Sequence, residues 1–210
     1  GQGNSPCSAE RIGYCPAPAC PGNCQGIRGT GWREGSQEKV TAAGGSGGAG
    51  TLIEIDVVNR QVCQQVDSQR LVKATRHVLQ SYGVTSGQVS IAILDNQMIR
   101  ELNLEFLDHD DATDVLSFPL EREGDMLEGE IVVNAEMAAD QAGQHGWPAE
   151  NELLLYVVHG ALHLAGLDDK QPESLEQMRS AEQQACEWLG IGPPPHRPLQ
   201  NPVTGDETTS

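Results

Sequence analysis

His159 and His163 stand four residues apart in an apolar run, and Gly166, Asp168 and Asp169 follow at once. On a helix, side chains at i and i+4 share one face about 5–6 Å apart, close enough for two imidazoles to hold one ion. Gly166 stops the helix, so Leu167-Asp168-Asp169 can fold back and offer a carboxylate across a loop of only a few residues, which costs little closure entropy. Two neutral imidazoles and a carboxylate leave a coordination position for water, as in catalytic zinc sites. Such an ion lowers the pKa of its water to about 7. The same set serves non-haem iron, so ligand type alone leaves iron and nickel open beside zinc. The competing reading is two core histidines bonded to backbone or carboxylate; the paired spacing and the acids that follow favour ligation. A zinc peptidase is disfavoured, because Gly160 stands where the His-Glu-x-x-His motif needs its general-base Glu.

The segment carrying these histidines is apolar nearly all round (Leu153, Leu154, Leu155, Val157, Val158, Leu162), which predicts a buried central helix from Pro148 to Gly166. Upstream, Ile53, Ile55 and Val57 alternate as a strand, as do Val89, Ile91 and Ile93. Between them Leu71, Val72, Val78, Leu79 and Tyr82 form a helical stripe closed by Gly83, and Asp95 caps a helix that points Met98, Ile99, Leu102 and Phe106 inward. Residues 115–120 and 130–134 read as two short strands, and Pro172 opens a last helix before the Pro193–Pro195 run. The order β-α-β-α-β-β-α-α-α predicts an α/β fold: a small mixed β-sheet packed with helices around a buried central metal-binding helix.

Around this domain, residues 51–191, the composition changes. Residues 1–50 are rich in Gly and hold Cys7, Cys15, Cys20 and Cys24 at spacings that do not make paired zinc knuckles, so they read as a disordered extension. Residues 192–210 read as a disordered Pro-rich tail, and Cys63 and Cys186 as free thiols of a reducing compartment. No secretory signal or membrane-spanning run is evident, so a cytoplasmic protein is expected. Of the 13 Lys and Arg, four lie in residues 1–50, leaving nine; of the 30 Asp and Glu, three lie there, leaving 27. A balance of −18 over residues 51–210 repels polyanions and argues against nucleic acid as partner.

Two longer motifs argue the other way. His159-Gly160-Ala161-Leu162-His163-Leu164-Ala165-Gly166-Leu167-Asp168-Asp169 resembles the signature of the YbeY proteins, bacterial metal-dependent endoribonucleases linked to ribosomal RNA maturation. Thr113-Asp114-Val115-Leu116-Ser117-Phe118-Pro119 resembles the strand motif of the same family, and Leu102-Asn103 and Gly129-Glu130-Ile131 agree with shorter blocks. The resemblance covers roughly residues 52–190. It implies a zinc ion, one per chain, held by His159, His163 and Asp169, with Asp169 where the family usually has His. It also implies an Arg after the aromatic Phe106, where this chain has Leu107. The missing guanidinium removes a phosphate clamp and transition-state stabiliser. Asp108, Asp110 and Asp111 make that loop acidic, with only His109 to compensate.

Other polar residues receive plainer readings. Ser117 reads as a strand residue facing the cleft and Glu130 as an exposed strand carboxylate, with polarisation of a metal-bound water as its alternative role. Trp147 and Trp188 read as core or rim anchors, and His77, His145 and His196 as isolated. No catalytic base or substrate-binding residue is assigned.

The resemblance implies a single-strand-specific, metal-dependent endoribonuclease in ribosomal RNA processing and ribosome quality control. Its partners would be ribosomal RNA and components of the small ribosomal subunit, with neither DNA nor membrane expected. Two alternatives are a metal-bound ribosome assembly factor with little nuclease activity and a small-substrate metallohydrolase. With nine cations and Leu107 in place of Arg, binding to naked RNA should be weak. Its log-log salt slope should match about two phosphate contacts or fewer, at about −0.7 per contact on single strands. Leu107→Arg should strengthen that binding. Salt titration of a labelled RNA checks both, and a steep slope for the unmodified protein would show a basic groove that composition conceals.

Overall fold

A computed structural model describes residues 13–14 and 52–195. Its elements are strands β1 (Gly13–Tyr14), β2 (Leu52–Asn59), β3 (Ser86–Leu94), β4 (Val115–Glu123) and β5 (Met126–Asn134), with helices α1 (Ser68–Ser81), α2 (Asn96–Leu107), α3 (Ala135–His145), α4 (Ala149–Ala165) and α5 (Pro172–Trp188). The sheet is mixed, in the order β1-β4-β5-β3-β2. Strand β3 runs parallel to β2 and β5, β4 is antiparallel to β5, and β1 is parallel to β4. The expected α/β architecture around a buried helix is the one observed. The short strand β1 falls in the segment read as an extension; the rest of residues 1–50, the four cysteines among them, and residues 196–210 with His196 lie outside the described residues.

Strand alternation divides the core into two layers. Ile91, Ile93, Ile131 and Val133 face α1, α3, α4 and α5, while Leu94, Leu116 and Val132 face α2 through Ile99 and Leu102. The hairpin is longer than alternation suggested. β5 begins at Met126, and β4 continues through Glu121, Arg122 and Glu123, which are exposed beyond a register shift and therefore carry no apolar period. Helix α3, an Ala-rich element capped by the Asn134 side chain, buries only Ala135, Ala138 and Ala142, too little surface for a visible stripe.

Helix α4 is buried along almost its whole length. It comes so close to the sheet that a Cβ on Gly160 would stand 2.7 Å from Ile131 Cγ2, 3.0 Å from Ser117 Oγ and 3.1 Å from Val115 Cγ2. A Cβ on Gly129 of β5 would likewise stand 2.9 Å from Leu164 of α4. Gly160 is therefore a requirement of packing, and this is the physical reason no Glu occupies the place it has in zinc peptidases. Gly160→Ala should cost up to about 2 kcal/mol: overpacking of about 1–3 kcal/mol, offset by about 1 kcal/mol from the better helix propensity of Ala. Urea unfolding in the presence of a chelator measures this without a metal contribution; an unchanged midpoint would show that the sheet gives way freely.

Candidate metal centre

The C-terminal end of α4 is shaped by Gly166, whose φ of 104° is left-handed and whose N–H donates to His163 O while Leu167 N–H returns to Leu162 O. Arg122 of β4 closes the same end, its Nη1 donating to Leu164 O at 3.2 Å and Ala165 O at 2.9 Å. The reversed chain brings Leu167 O to 2.9 Å from His163 Nδ1. Asp168 Oδ1 accepts the Asp169 N–H at 2.9 Å, which steadies the turn and directs Asp169, not Asp168, at the histidines.

Asp169 Oδ2 lies 3.9 Å from His159 Nε2 and its Oδ1 lies 3.8 Å from His163 Nε2, beyond hydrogen-bonding reach in both cases. One donor atom from each of the three residues falls within 4.8 Å of the others. Both imidazoles are 1% exposed, and the Asp169 side chain, at 13%, forms the solvent side of the cluster. His159 Nδ1 meets Glu182 Oε1 of α5 at 2.5 Å. With each Nδ1 against an oxygen acceptor, the proton of each neutral ring belongs on Nδ1 and the lone pair on Nε2, toward Asp169. Burial, aided by the neighbouring His159, pushes the His163 pKa down to about 4, so this ring is neutral at pH 7. Two oriented imidazole lone pairs and a carboxylate fit a divalent transition metal, and the exposed Asp169 side leaves an approach for a further ligand.

Sequence reasoning missed Glu182. It lies 23 residues from His159 in a helix with several other Glu and Gln residues, and only the tertiary fold shows that it is 1% exposed and bonded to the ligand. Several motif residues prove to hold the scaffold. Ser117 does not face a cleft: it is buried and its hydroxyl donates to Gly160 O at 3.3 Å, tying β4 to α4. Glu130 is not exposed either. At 3% exposure, between Gly129 and Ile131 that face α4, it points to the α2 side of the sheet and so away from the metal helix. Asn103 Nδ2 holds Asp111 O at 2.7 Å, and Asn134 Nδ2 holds Thr113 O at 3.0 Å, which fixes the entry to β4. The acidic loop has a cation that the linear reading overlooked: Arg100 makes two 2.8 Å bonds to Asp110. Among the described residues, Cys63 is an exposed thiol and Cys186 a buried one, and no helix is long and apolar enough to cross a membrane.

The family model described as Endoribonuclease YbeY matches residues 56–190. The chain is similar to the Endoribonuclease YbeY of Rhodopirellula baltica, 42% identical over 150 residues that cover 70% of this chain and 73% of the relative. The proteins of that name from Salinibacter ruber (36% identical, 58% and 82% covered) and from a Sulfurovum species (37%, 67% and 92%) are also similar.

Glu182→Gln keeps the size of the side chain but removes the charge that orients His159. Metal affinity should fall about 10–100-fold while the fold persists. Competition against a chromogenic chelator measures it; unchanged affinity would show that Glu182 serves packing alone.

Proposed function

Because this chain belongs to the YbeY endoribonuclease family, we propose that it is a zinc-dependent endoribonuclease acting on single-stranded RNA in ribosomal RNA processing and ribosome quality control. The convergence of His159, His163 and Asp169 at the end of one buried helix carries this reading. Relatives that bear the name endoribonuclease favour it over a non-nuclease assembly factor and over a small-substrate hydrolase. Ribosomal RNA with components of the small ribosomal subunit is the expected partner, in the cytoplasm.

His159 and His163 would hold the ion through Nε2 and Asp169 through its carboxylate. When bound, zinc supplies a Lewis acid for a phosphoryl oxygen and an activated water near neutral pH. The chain's own contribution is orientation. Glu182 and Leu167 O keep the two Nδ1 protons in place, burial of α4 excludes water from the inner side, and the Asp169 side stays open to a phosphodiester. Asp169 brings a negative charge where a His would bring none, which makes the bound water less acidic.

About one zinc per chain is expected by elemental analysis. His159→Ala and His163→Ala should each abolish stoichiometric binding and RNA cleavage, and chelation should do the same reversibly. Asp169→His should retain zinc longer against a chelator and cleave at an equal or higher rate. Cleavage that survives both histidine substitutions would overturn the site, and a zinc-loaded protein that leaves single-stranded RNA intact would overturn the function.

A further inference from the structure

Helix α1 differs electrostatically from the rest of the domain. Every other helix carries at least two acidic residues; α1 has none within Ser68–Ser81 and holds Arg70, Lys73 and Arg76, three of the eight Lys and Arg in residues 52–195. Its buried side, Leu71, Val72, Ala74, Thr75, Val78 and Leu79, packs into the core, so the cations share the outer face. Arg70, Lys73 and His77 follow one another at i, i+3 and i+7 over about 10 Å of helix.

This face is held in place. Arg76 Nη2 donates to Ile53 O at 3.3 Å. The His77 ring stacks on Trp188 at the end of α5 with centroids 3.6 Å apart and planes 3° from parallel, and Lys73 Nζ lies 5.0 Å from the centre of the indole. Trp188 is nonetheless 46% exposed. Among the described residues, the row is paired with the Glu150 carboxylate, 4.0 Å from Arg70 and well exposed, a contact that contributes little. Elsewhere the guanidinium of Arg100 is bonded by Asp110 and that of Arg122 by the carbonyls ending α4.

We propose that the outer face of α1, with Arg70, Lys73 and the Trp188 edge, is a docking surface for the phosphate backbone of single-stranded RNA, distinct from the metal centre. A stripe of cations one helix wide beside an exposed aromatic suits a narrow polyanionic thread. An acidic protein surface would have to spread over the surrounding carboxylates, and the −18 balance opposes that. The proposal rests on the reading of the protein as a ribonuclease, and it gives an acidic domain a local means to hold RNA with a small number of contacts.

The test uses the full-length, metal-loaded protein and a labelled single-stranded RNA oligonucleotide with metal-dependent cleavage followed in parallel. Arg70→Glu/Lys73→Glu should weaken binding by about tenfold or more at low salt and make the log-log salt slope shallower by about 1.4, two contacts at about 0.7 each. Metal content and melting temperature report folding, and Lys73→Gln alone should give about half the slope change. Arg100→Gln, whose cation is already bonded to Asp110, should leave the slope as it was. If the unmodified protein cleaves RNA while the double variant binds it with unchanged affinity and slope, the surface is overturned and the ribonuclease stands. If the unmodified protein neither binds nor cleaves RNA, both fall. Loss of binding to a polyglutamate peptide with RNA binding intact would assign the face to an acidic protein and overturn the proposal.

Discussion

The contact between Gly160 of α4 and Ile131, Val115 and Ser117 of the sheet sets the depth at which the histidine helix lies. With no Cβ between them, helix and sheet approach closely enough for the Ser117 hydroxyl to reach the Gly160 carbonyl, and Gly129 repeats the device against Leu164. On the neighbouring flank of α4, His159 meets Glu182 of α5, and both imidazoles are buried. Burial in turn holds His163 neutral, the state in which an imidazole donates a lone pair to a metal.

Charge explains how this arrangement is completed. A carboxylate as buried as Glu182 is expensive unless a donor meets it, and His159 supplies the donor. Asp169 adds a second carboxylate on the solvent side of the same two rings. Two carboxylates around the two imidazoles suit a divalent cation, whose charge they balance. The Gly166 turn, the Arg122 bonds to the last carbonyls of α4 and the Asp168 bond to Asp169 N–H all fix the geometry of the flexible third ligand. The rigid pair is supplied by one helix and needs no such support.

This difference also determines what was legible in the sequence. Two histidines at i and i+4 with a glycine stop are a local pattern, and the local helix realises it. The alternating strands and the caps at Asp95 and Asn134 depend on near neighbours; the Asp95 cap and the order of strands β2 to β5 were legible, while the β4–β5 hairpin runs beyond its apolar period. Glu182 was hidden because its partner is distant in sequence and its own helix offers several similar carboxylates. Ser117 and Glu130 were misread because a strand's period tells which residues share a face, but not which face meets which helix. Once Gly129 and Ile131 are known to lie under α4, the burial and direction of Glu130 follow.

The same limit applies to charge. A total of −18 is a sum, whereas a phosphate responds to the nearest few side chains within a Debye length of about 8–10 Å. Arg100 and Asp110 cancel locally at the end of α2, and Arg122 is bonded to the helix it caps, so neither adds to a field around the domain. Among the described residues, the cations of α1 are paired with the Glu150 carboxylate, at 4.0 Å and exposed to solvent. The electrostatic character of this protein toward RNA is therefore set by where its few cations are left with little opposition. In a domain this acidic, that condition is met along the outer face of α1.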